Sequence, residues 1–178
     1  MGTPPSGWFD AAKQGHTKAF LRTVDSDVVV LAINFQELGL SELWIGFGSG
    51  KAYKDIPIHH ISQMLGPKKC QALPLFHAFT GCDVVSAMFG IGKKTAWNAW
   101  EAFPEVTDIL VAITQDPISL TLESGHMKCL ERWTVLMYSK NCSADSVNEA
   151  RKVMFTHGLK SLDSIPPTQV IEDVTGKQ

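Results

Sequence analysis

The segment that most limits the fold is TVDSDVVVL, residues 23–31, where Asp25 and Asp27 stand immediately ahead of a β-branched apolar run. An ionised carboxylate beside a segment that wants burial must find water, a donor or a cation. The residues before the pair, HTKAFLRT at 16–23, alternate loosely between polar and apolar, as a half-buried strand does. Those after it, VVVLAINFQELGL, are strand-like in composition but too long for an ordinary strand. Asp25 is a natural N-cap for a helix opening at Ser26; Leu31, Phe35 and Leu38 fall at helical spacing, and Gly39 supplies a stop. The junction therefore predicts a strand ending at the aspartates and a helix beginning on them. Spacing alone leaves two readings of the pair open. One is a helix cap with a solvated neighbour. The other is the acidic end of a metal site at the C-terminal edge of an open α/β sheet, where two carboxylates suit a hard cation such as Mg²⁺.

Downstream, ELWIGF and AYKDIPI flank the turn GSGK and predict a hairpin of two strands. The glycines of GFGSG are not a dinucleotide fingerprint, because no helix-forming pattern follows them. HHISQMLG predicts a short helix ended by Gly66, with Pro67 beyond it. Helical patterns then follow in KKCQALPLFHAF, SAMFGIGKKTAWNAWEAF, VTDILVAIT and MKCLERWTVLMYSK. A last helix, SADSVNEARKVMFTHG, is expected to open on Ser143 or Asp145, and Ile165-Pro166-Pro167 forbids its continuation. The pattern is one sheet-forming third followed by helices, an α/β chain. The expected divisions are a poorly ordered leader (1–16), a core (17–115), a helical extension (116–168) and a frayed tail (169–178).

Composition narrows the function classes. The 178 residues are 44% hydrophobic and 19% charged, which is globular, and the formal net charge of −2 gives no overall pull toward nucleic acid or anionic lipid. The charge is unevenly spread: residues 61–100 hold four lysines against one aspartate, between acidic flanks. That block is either a solvated surface or an anion-facing patch. Cys70, Cys82, Cys129 and Cys142 form neither a C-x-x-C pair nor a zinc-like spacing, so reduced thiols in an intracellular setting, nuclear or cytoplasmic, are expected. No apolar run approaches the roughly 20 residues of a membrane span, and the N-terminus lacks the pattern of a signal peptide.

Two further motifs carry possible chemistry. In TGCD at 80–83, Asp83 borders an apolar helix and is either a turn cap or a ligand. In FGIGKKTAW at 89–97, two glycines bracket an isoleucine ahead of two lysines and a helix-forming run. Exposed backbone N–H groups of Gly90 and Gly92, the following helix N-terminus, Thr95, and the cations Lys93 and Lys94 would suit a phosphate. It is not a Walker A loop, because Ala87 stands where the first glycine is needed and Lys94 fills the Ser/Thr position.

Taken in order, D-x-D, hairpin, G-C-D and G-I-G-K-K-T-A resemble the second half of the flap-endonuclease branch of the PIN-like 5′-nuclease superfamily, over about residues 17–115. GHTK, RTVDSDVVVLAI, ELWIGFGSGK, IPIHHI, LPLFHAFTGCD, GKKTAW, VNEARKVMFT and IPPTQ look closer still to an uncharacterised, mobile-element-associated group of animal proteins with the same nuclease-like core. That second likeness runs from about Gly15 to Gln169. The resemblance implies the C-terminal part of a Rossmann-like nuclease core with a helix-hairpin-helix element and a helical extension. It further implies a metal-dependent phosphodiesterase in which Asp25, Asp27 and Asp83 hold Mg²⁺ or Mn²⁺. The 90–95 hairpin would then grip a nucleic-acid backbone, DNA rather than RNA, without reading sequence. Such nucleases draw further carboxylates from an acidic helix upstream of the D-x-D strand, which this chain is expected to lack, and Asp10 is not expected to replace them. The two-metal site is therefore expected to be incomplete, with weak or no cleavage. An unpaired sheet edge is expected to invite a protein partner or the missing N-terminal half. The rival expectation is a catalytically dead module that binds nucleic acid or protein.

Among the remaining residues, His77 in LPLFHAF is expected to be a hydrogen-bonded core histidine. His59 and His60 suit either surface or phosphate. Trp97 and Trp100 should pack the hairpin onto its core, and Trp133, Leu136 and Met137 should form a core stripe.

Overall fold

The computed structural model describes residues 13–81, 88, 90–116, 125–156, 165 and 166. Residues 1–12 of the leader, Cys82 and Asp83, residues 117–124, 157–164, 167 and 168 of the expected extension, and the 169–178 tail lie outside the described residues. What is described is a mixed α/β chain with a three-stranded sheet and six α-helices. It divides into two compact units, 1–77 and 78–178, so the division falls inside the 17–115 span expected to be one core.

The first unit begins with β1 (Lys18–Thr23), which pairs in parallel with β2 (Glu42–Phe47) from Lys18↔Glu42 to Thr23↔Phe47. β2 pairs in antiparallel fashion with β3 (Lys54–Pro57), giving the order β1-β2-β3. Parallel strands need a crossover, and residues 26–38 provide it. The single helix expected there is in fact two pieces: α1 (Ser26–Leu31) and a 3₁₀ segment (Ala32–Leu38) that breaks at Asn34 (φ −91°, ψ 22°). Val28, Val29 and Val30 lie within α1, and the non-helical backbone comes at Asn34, whose side chain competes with the backbone for hydrogen bonds. The crossover lays Ala32, Ile33 and Phe35 against Leu43 and Ile45 of the sheet and Ile58 and Cys70 beyond it, all buried. Ala19, Leu21, Phe47 and Ile56 complete that inner face.

The hairpin turn holds a short 3₁₀ piece, Gly50–Ala52, and Gly48 takes φ +87° where it meets the Ala52 carbonyl. Helix α2 (Ile58–Phe79) follows and bends where the sequence predicts a stop, at Gly66 (φ +77°, ψ 164°). Pro67 then sits where a proline can open a new helical run. Ser62 Oγ donates to the Ile33 carbonyl (2.7 Å) and ties α2 to the crossover.

In the second unit, α3 (Lys93–Ala102), α4 (Val106–Gln115) and α6 (Val147–Thr156) each contact α5 (Gly125–Tyr138). Trp133 and Met137 of α5 are buried and Leu136 is half-buried, so the expected stripe is core. Trp100 is buried too, with its Nε1–H donating to Thr107 Oγ1 (2.8 Å) and Trp97 edge-on to it. Helix α6 corrects one expectation: it opens at Val147, and Ser146 is the residue whose Oγ accepts the Glu149 N–H (3.2 Å), not Ser143 or Asp145. The reason lies in Arg132, whose Nη1 donates to the Cys142 and Ala144 carbonyls (2.6 and 2.7 Å) and holds that stretch out of the helix.

Two substitutions probe this packing. Gly66→Ala meets no atom within 4 Å, so its cost is backbone strain alone, about 1–3 kcal/mol in urea unfolding. Glu131 has a buried Oε1 without a hydrogen-bond partner among the described residues, and burial raises its pKa. A raised folded pKa means the ionised form opposes folding, and the handicap disappears as pH falls below the unfolded value. Glu131→Gln should therefore raise Tm at pH 7 and leave it nearly unchanged near pH 4, measured by thermal melts.

Candidate functional site

The loop joining β1 to α1 is built by its own side chains. Asp25 N–H donates to Thr23 Oγ1 (3.0 Å), and Asp27 N–H donates to Asp25 Oδ1 (2.8 Å). Asp25 is thus the N-cap of α1, with extended backbone (φ −95°, ψ 122°). Gly48 N–H donates to the Thr23 carbonyl (3.0 Å) and carries the parallel pairing to the last strand residue. Both carboxylates consequently stand at the carboxyl end of β1, beside the carboxyl end of a parallel neighbour.

Asp27 points to a partner 50 residues away. Its Oδ1 lies 2.8 Å from His77 Nε2, on α2. A carboxylate only accepts, so this bond places a proton on Nε2. The expected hydrogen bond of His77 is present, but the ring is half-buried rather than in the core, and its partner lies on another element. The available signal was chemical: a titratable group inside LPLFHAF needs a partner, and acids ahead of VVVL need a donor. Asp25 and Asp27 each keep a second carboxylate oxygen, a donor set of the kind Mg²⁺ or Mn²⁺ accepts. Among the described residues no group of three or more His, Cys, Asp or Glu side chains is placed to hold a metal. Asp83, the third expected ligand, lies outside the described residues.

The glycine hairpin is described in part. Gly90 takes φ +73°, and Ile91 N–H donates to the Met88 carbonyl (3.1 Å). Gly92 precedes α3 as its N-cap, its carbonyl accepting the Ala96 N–H (3.1 Å), with no side chain capping the first turn. Lys94 is exposed there and Thr95 is half-buried. Lys93 turns differently: its Nζ donates to Thr80 Oγ1 (2.9 Å), and Thr80 is buried. The two lysines, equivalent in the sequence, are therefore unequal in the fold.

Comparison with protein-family models, curated proteins and solved structures returned no match. Of the other expected contacts, His59 is structural: it is buried, its Nδ1–H donates to the Leu43 carbonyl (3.1 Å), and Trp44 lies edge-on to its ring. His60 is exposed. No helix among the described residues is long and apolar enough to cross a membrane.

The cap and the charge of Asp25 separate by substitution. Asparagine caps about as well as aspartate, whereas alanine loses about 1 kcal/mol. Asp25→Asn should melt like the parent and Asp25→Ala should melt earlier, followed by circular dichroism.

Proposed function

We propose that the chain is a nuclease-like module of the PIN-like type that binds nucleic-acid phosphodiesters with the help of a divalent cation and cleaves them weakly or not at all. The observation that carries this reading is the position of Asp25 and Asp27 at the carboxyl end of β1, next to the parallel strand β2. That edge is where open α/β sheets bind ligands. The second support is the uncapped N-terminus of α3, with Lys94 exposed upon it. A phosphate there would meet backbone N–H groups and one flexible cation.

Asp25 and Asp27 are the residues that would hold Mg²⁺ or Mn²⁺, joined by Asp83 in the reading the resemblance gives. When bound, the cation would neutralise phosphate charge and activate water. The chain's own residues set the limits. Asp25 already spends one oxygen on the helix cap, and Asp27 spends one on His77. A second reading, binding without hydrolysis, is favoured by the same two bonds, because each leaves less of the carboxylate to a cation.

The test has two parts. Mn²⁺ titrated calorimetrically should bind the parent and not Asp25→Asn/Asp27→Asn, whose cap is intact. Single-stranded and flapped DNA should bind in a salt-sensitive way, with Lys94→Ala weakening affinity and reducing the slope of log K against log salt by about 1. No binding of Mn²⁺ by the parent would leave the non-hydrolytic module, and unchanged DNA affinity in Lys94→Ala would remove the phosphate role of the hairpin. Robust Mn²⁺-dependent cleavage abolished by Asp83→Asn would make the protein a competent nuclease.

A further inference from the structure

Among the described residues of the first unit, the sheet has one face packed against the crossover and another with exposed side chains. Leu43, Ile45, Ile56 and Phe47 point to the core, so alternation sends Phe20, Arg22, Trp44, Gly46 and Asp55 to the other side. That outer face is not a random polar surface. Phe20 is 60% exposed and Tyr53 39% exposed. Both rings lie over Gly46, where a Cβ would stand 2.4 Å from Tyr53 Oη and 2.9 Å from Phe20 Cζ. Tyr53 is fixed from both sides, by its Oη–H donating to Asp55 Oδ1 (2.7 Å) and by the Arg22 guanidinium 5.7 Å from its ring centre. Parallel strands are rarely left uncovered on a face.

The register arranges this face in rows across the strands. One row reads Arg22, Gly46, Asp55; the next reads Phe20, Trp44, Pro57; the third pairs Lys18 with Glu42. Positive charge runs along β1 and a negative charge sits on β3, at the same height as Arg22. The geometry points to a second copy of this chain as the occupant, packed face to face about a two-fold axis parallel to the strands. Such an axis keeps heights and exchanges the edges, so β1 covers β3 of the partner copy. Arg22 then meets Asp55 across the interface, Phe20 meets Pro57, and Trp44 meets its own equivalent. Each Glu42 is neutralised within its own chain by Lys18 Nζ (2.6 Å). Aligned sheets pack about 10 Å apart, within reach of an arginine and an aspartate extended toward each other. A two-fold across the strands would instead lay β1 on β1 of the partner copy and leave Arg22 with no Asp55 opposite it. Nucleic acid fits this face poorly, since Glu42 and Asp55 offset both of its cations.

A three-stranded face is small, so the dimer is expected to be weak and to form reversibly in the micromolar range. In sedimentation experiments over a concentration series, the parent chain should move from monomer to dimer mass. Arg22→Glu and Asp55→Arg should each weaken the dimer about tenfold or more, because each sets like charges across the interface. Mixing the two variants should restore a heterodimer, because both cross-interface pairs then carry opposite charges, one with its polarity reversed and the other the native pair of Arg22 and Asp55. The double change Arg22→Glu/Asp55→Arg in one chain should restore the homodimer, which guards against variants that merely fail to fold. A parent that stays monomeric throughout, a dimer indifferent to both charge changes, or a mixture that does not recover would each overturn the proposal.

Discussion

The parallel pairing of β1 with β2 is the constraint on which the first unit depends. Two parallel neighbours cannot be joined by a tight turn, so the chain between Thr23 and Glu42 must travel back over one face of the sheet. Residues 26–38 make that return and bury Ala32, Ile33 and Phe35 against Leu43 and Ile45. Once that face is chosen, the two-residue alternation of the strands leaves no freedom for the rest. Leu21 and Phe47 turn inward; Phe20, Arg22 and Trp44 turn outward. The same crossover sets the aspartates at the carboxyl end of β1, because the helix must start where the strand stops.

Local chemistry made much of this legible. A cap residue ahead of an apolar run, glycine and proline punctuation at 66–67, and alternation in ELWIGF each specify their structure within a few residues. What escaped was of two kinds. The first was competition between local preferences. At Asn34 the backbone leaves an otherwise reasonable helical pattern, which is divided into α1 and a 3₁₀ segment. At α6, two plausible caps were displaced by a third, Ser146, because Arg132 holds the carbonyls of 142 and 144 from outside.

The second kind was long-range pairing. His77 and Asp27 are 50 residues apart, and Lys93 and Thr80 are 13 apart. Periodicity identifies the face a polar residue occupies, and the cost of burying it says a partner exists. Neither names the partner. Hence the candidate site was legible as a set of residue types but not as a set of bonds. The bonds matter functionally, since they separate Lys93 from Lys94 and give Asp27 a neighbour that a lone D-x-D motif does not have.

The two aspartates also divide the work that the sequence left undecided between them. Asp25 is committed through Oδ1 to the backbone of Asp27, and its own N–H is held by Thr23, so its position is fixed by the fold without any ligand. Asp27 is fixed differently, by a side chain on another element. A carboxylate held by a neutral or charged donor loses some attraction for a cation but gains a defined direction, as metal ligands commonly do from their outer-shell partners. Each carboxylate is therefore held in a defined direction by the fold. A cation arriving there would have to share Asp25 with a helix terminus and Asp27 with an imidazole. Cap and cation site are compatible on these terms, because the bonds that stabilise α1 and anchor Asp27 use one oxygen of each carboxylate and leave the other.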